Sequence, residues 1–235
     1  LEQAEQERKM GASKTRERYL STITWEHKWL DQILIDITSD FVVKGAKWQK
    51  CNSLYIAREL TNLETFAQLA IYQSMLHMHP AFCSQIVLDY KYMGSNLVQF
   101  SKVNSSVFSL FVDREEIGKK LEAIKSDVRL RCTNILQSCS DIEAFNQLMA
   151  TYDSPGESYV LVHIYGLETI TADMLSLFKN GPKVGYFFKL YLTKDEMTEL
   201  QKEFPFEDFG ELSEITDLVL PRTRSQIERM LAPSA

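Results

Sequence analysis

This chain predicts a mixed α/β fold, with a helical N-terminal half packed on a C-terminal α/β half that holds a mainly parallel, three-layer sheet. Three observations carry the prediction. From Thr22 to Met93 apolar residues recur at helical spacing. From about residue 106 onward, short β-branched and aromatic runs alternate with segments of helix length. Most of those later segments open on a residue suited to helix capping. Strands alternating with helices imply right-handed crossovers and parallel pairing. The expected organisation is a polar arm over 1–20, a helical region over 21–100 and an α/β domain over 101–235, with the change of rhythm near 94–105.

Residues 1–20 mix charges of both signs, and Gly11 and Ser13 interrupt any helix there. Trp25, Trp29, Ile33 and Ile37 then recur at four-residue steps and predict a helix that Gly45 ends. Trp48, Cys51, Leu54, Tyr55 and Leu60 predict a second helix. In the next, Thr61 and Glu64 are spaced as a capping box, and Leu63, Phe66, Ala70 and Met75 form its apolar side up to Pro80. The segment "AFCSQIVLDYKYM" predicts a further helix that stops at Gly94.

In the second half, "SSVFSLFVD" reads as a strand, with Asp113 and Glu116 capping the helix that follows. Ser140 and Glu143 repeat that signal before "IEAFNQLMATY". Tyr159 to Tyr165 is apolar at nearly every position, as a strand covered on both faces must be. Thr171 and Gly181 bracket the helix after it. "KVGYFFKLYL" is another strand, followed by a capping box at Thr193 and Glu196. "ITDLVL", Pro221 and "RTRSQIERML" predict a last strand and helix.

Composition narrows the function classes. A formal net charge of −6 and a pI near 5.4 give no global attraction for phosphate backbones or anionic membranes. No apolar run approaches the roughly 20 residues that span a bilayer, and the first residues lack a signal-type apolar segment. These features predict an intracellular protein, and a start at Leu1 predicts a piece of a longer one. Cys51, Cys83, Cys132 and Cys139 show no CxxC pair and read as reduced thiols.

Parallel sheets take ligands beyond the carboxyl ends of their strands. Asp113, Glu168 and Asp195 each follow a different predicted strand, where converging carboxylates could hold Mg²⁺ or Mn²⁺; Asp113 can equally cap its own helix. In element order, residues 106–235 resemble a PIN-domain nuclease, whose first strand ends in a metal-binding Asp. The resemblance rests on that order and on Asp113, and implies a metal-dependent phosphodiesterase or nuclease as the alternative function. "YGLETIT" has a single Gly and no GxGxxG or GxxxxGK[ST], so no phosphate cradle is expected. "HMHPAFC" sets His77 and His79 two apart, on different sides of a helix, which disfavours zinc. His163 lies in a buried strand and reads as a core imidazole. Arg222, Arg224 and Arg229 offer a nucleic-acid contact but adjoin an acidic stretch.

The leading expectation is therefore a non-catalytic interaction or scaffold module of a larger protein, without cofactor or resident metal, and with other proteins as partners. Trp25 and Trp29, or Phe204, Phe206 and Phe209 within an acidic segment, are the candidate docking residues; those phenylalanines can instead seal the sheet.

Overall fold

The computed structural model of the protein describes residues 35–36, 42–43, 50–77, 83–91, 108–216 and 219–232. Seven of its strands form one sheet in the order β5-β4-β6-β7-β3-β8-β9. These are β3 (Asn52–Ala57), β4 (Cys83–Asp89), β5 (Phe108–Phe111), β6 (Tyr159–Tyr165), β7 (Tyr186–Thr193), β8 (Phe209–Ile215) and β9 (Val219–Pro221). All neighbours pair in parallel except β9, which closes an antiparallel hairpin on β8. Pro221 sits on this edge strand, where its missing N–H costs no ladder bond. A separate pair, β1 (Ile35–Asp36) with β2 (Val42–Val43), is antiparallel.

The mixed α/β fold with a mainly parallel sheet is present, but two segments expected to be helices are strands. "NSLYIA" is β3, which lies between β7 and β8, and "CSQIVLD" is β4. Both are buried at nearly every position, so neither shows the two-residue alternation that marks a half-exposed strand. One sheet thus draws strands from both sides of the expected boundary. Of the N-terminal helices, α1 (Leu60–His77) is present. The Trp25 and Trp29 segment lies outside the described residues, as do 94–105.

α1 covers one face, burying Leu63, Phe66, Ala67 and Ile71 against Tyr55, Tyr165 and Tyr191. The opposite face carries α2 (Arg114–Leu136), α4 (Ala172–Asn180), α5 (Lys194–Leu200) and α6 (Arg224–Leu231), while α3 (Ile142–Thr151) sets Ile142 beside Gly185 and Tyr159 at the starts of β7 and β6. Their starts follow the sequence closely: Asp113 accepts from the N–H groups of Glu115 and Glu116, Thr171 caps α4, and Thr193 and Glu196 form a full capping box. For α3 the cap is Asp141, one residue past the expected Ser140. Arg131 of α2 donates to the carbonyls of Ser158 and Val184 at 2.6 and 3.3 Å, fixing the helix to the starts of β6 and β7.

Asn52 opens β3 and is fully buried. Its Nδ2 donates to the carbonyls of Phe178 and Asp208 at 2.8 and 2.9 Å, while its Oδ1 accepts from the Phe188 N–H at 3.0 Å. One side chain therefore joins the end of α4, the start of β7 and the turn before β8.

Beneath α1 the sheet is unusually polar. The register sets His163, Lys189, Ser53 and Glu211 in one transverse row. Lys189 Nζ donates to Ser53 Oγ at 2.6 Å and to the Cys51 carbonyl at 3.0 Å. His163 lies 3.0 Å from Gln85 Oε1 and 2.9 Å from the Tyr191 hydroxyl. With Gln85 as acceptor, Nε2 carries the proton and Nδ1 accepts from Tyr191, which is a neutral imidazole. Burial first, and then the charge of Lys189, pushes the His163 pKa down to about 3.

Two predictions follow from these buried polar groups. Asn52→Ala leaves two carbonyls and one N–H unpaired in the interior and lowers stability by about 3 kcal/mol or more in urea unfolding. For His163 the unfolded value of roughly 6.5 lies above the folded one, so the unfolded chain binds more protons between the two. Stability contributed by the neutral imidazole is complete above that unfolded value and falls with pH by about 1.4 kcal/mol per unit below it. His163→Gln, measured by unfolding across pH 4 to 7, removes one proton's worth of that slope.

Candidate functional site

The carboxyl ends of the strands are where this fold can hold a ligand. The helix after β3 goes to one face, and those after β6 and β7 go to the other. Such a divergence opens a crevice. Its wall is formed by Arg58 and Glu59 after β3, Lys91 after β4, Gly166 to Glu168 after β6, and Lys194 to Glu196 after β7.

Only Arg58 and Glu59 separate β3 from α1, because the helix begins at Leu60 rather than at the expected Thr61 box. A turn of two residues without glycine cannot wrap backbone N–H groups around a phosphate. Among the described residues, the connection from β6 has the only glycine of the wall, Gly166, at φ +74°. There it serves a different purpose. A Cβ at this position would lie 2.6 Å from Cγ of Lys91, whose side chain crosses directly above.

The chain's own charges pair across the crevice. Lys91 Nζ lies 3.0 Å from Glu196 Oε2, so it braces β4 against the capping box of α5. Arg114 pairs with Glu168 at 2.6 Å, donates to the Tyr90 carbonyl and stands over the Tyr90 ring. Glu214, buried at the end of β8, takes Nε and Nη2 of Arg222 at 3.0 and 2.7 Å and faces Arg58 at 3.6 Å. The Tyr165 hydroxyl is buried among Glu64, Glu196 and Asp89. Burial first, then those three charges, hold the phenol well above its ordinary pKa. This part of the crevice is negative, which disfavours a polyphosphate.

The three carboxylates proposed as metal ligands have separate duties. Asp113 caps α2, Glu168 is spent on Arg114, and Asp195 stands exposed in the first turn of α5. Among the described residues no group of three His, Cys, Asp or Glu side chains could hold a metal ion. Phe204, Phe206 and Phe209 are buried, with ring centroids 4.8 to 5.3 Å from each other or from Phe178. They seal the sheet instead of forming a docking face. Of the basic residues, Arg222 is taken by Glu214, Arg224 by Glu228, and Arg229 donates to the Ser225 carbonyl. Lys91, Arg58 and Glu214 were missed in the sequence because two of their strands read as helices; the third, β8, begins six residues before the expected "ITDLVL".

Comparison with solved structures places this arrangement. The fold is similar to regions of two solved structures. One is the cytoplasmic domain of EssC, with a TM-score of 0.55 and 14% identity over 81% of this chain and 37% of that one. The other is Thermomonospora curvata EccC (ATPases 2 and 3) in complex with a signal sequence peptide, with a TM-score of 0.52 and 15% identity over 69% of this chain and 31% of that one. The chain spans about a third of the length of either, and at such identity the likeness is one of fold. No family model and no curated protein matches the chain. The PIN-type element order is not upheld: it began at β5, which the structure puts at the sheet edge, and omitted β3 and β4. Among the described residues no helix is long and apolar enough to cross a membrane.

Gly166→Ala forces a left-handed side chain against Lys91 and costs about 1–2 kcal/mol. In a Lys91→Ala background the steric part of that loss disappears, so a double-mutant cycle by urea unfolding shows the second substitution to be cheaper there.

Proposed function

We propose that this chain is a non-catalytic interaction domain of a larger intracellular protein, in which an ATPase-type α/β fold serves as a scaffold for protein partners. The observation that carries this reading is the crevice itself. Where a ligand would lie, the chain sets Lys91 on Glu196, Arg114 on Glu168 and Arg222 on Glu214, and the β3 to α1 turn has two residues and no glycine. Displacing Lys91 from Glu196 or Arg222 from Glu214 is unfavourable, because breaking either pair leaves a partly desolvated charge. The EccC structure that shares the fold is a complex with a signal sequence peptide. It supports a protein segment as the kind of partner.

Titration of the chain with Mg-ATP by calorimetry, with a parallel phosphate-release assay, gives no saturable heat and no turnover. A parallel Mn²⁺ titration also gives no saturable heat. Saturable Mg-ATP binding would sink the scaffold reading, and Mn²⁺ binding that is lost when Asp113, Glu168 and Asp195 are replaced would establish the carboxylate reading in its place.

A further inference from the structure

We draw no further inference here: the strongest candidate, the cluster of Glu64, Asp89 and Glu196 around the buried Tyr165 hydroxyl, belongs to the strand-end crevice already described, where Lys91 holds Glu196.

Discussion

The buried amide of Asn52 is the interaction on which the rest of the architecture depends. β3 must enter between β7 and β8, strands that follow it in sequence by more than a hundred residues. Backbone pairing alone specifies parallel strands loosely, since a slipped register preserves most ladder bonds. A side chain that must satisfy Phe178, Phe188 and Asp208 together allows one placement only. The apolar packing of Leu54 and Ile56 then follows on one face and that of Tyr55 on the other.

The two faces of the sheet solve different problems. Toward α2, α4, α5 and α6 it presents mostly aliphatic and phenylalanine side chains, and its stability there comes from burial in proportion to apolar area. Toward α1 it buries His163, Lys189, Ser53 and Gln85 in hydrogen-bonded sets. Such groups are costly when unpaired, so they penalise wrong registers more than they stabilise the right one. Lys189, whose pKa is lowered by its burial, is the extreme case, an ammonium kept in the interior by Ser53 and the Cys51 carbonyl.

The strand ends are filled by the chain's own charges. Layers of this type host many unrelated activities, and function depends on the residues set at the ends of the strands. Here those residues bind one another: Lys91 crosses Gly166 to reach Glu196, and Arg114 reaches Glu168. The exposed pair, Arg114 with Glu168, contributes little energy in water. Their effect is to occupy the space.

The sequence by itself determined the local features: the helix starts at Asp113, Thr171 and Thr193, the buried strand at 159–165, and a strand within "KVGYFFKLYL", which the structure begins three residues later at Tyr186. These depend on residues within a few positions of each other, where a hydroxyl or carboxylate meets a free N–H. Tertiary structure alone decided that "NSLYIA" and "CSQIVLD" are strands. A strand buried on both faces has no amphipathic period, and its partners, Lys189 for Ser53 and Val160 for Ser84, lie far along the chain. It also decided that Phe204, Phe206 and Phe209 point inward, since aromatics among acids suit a docking face and a sealed edge equally until the opposing surface of Phe178 is present. The crevice was illegible for the same reason: Arg58, Glu214 and Arg222 come from three different strand ends, and only the sheet order brings them to one place.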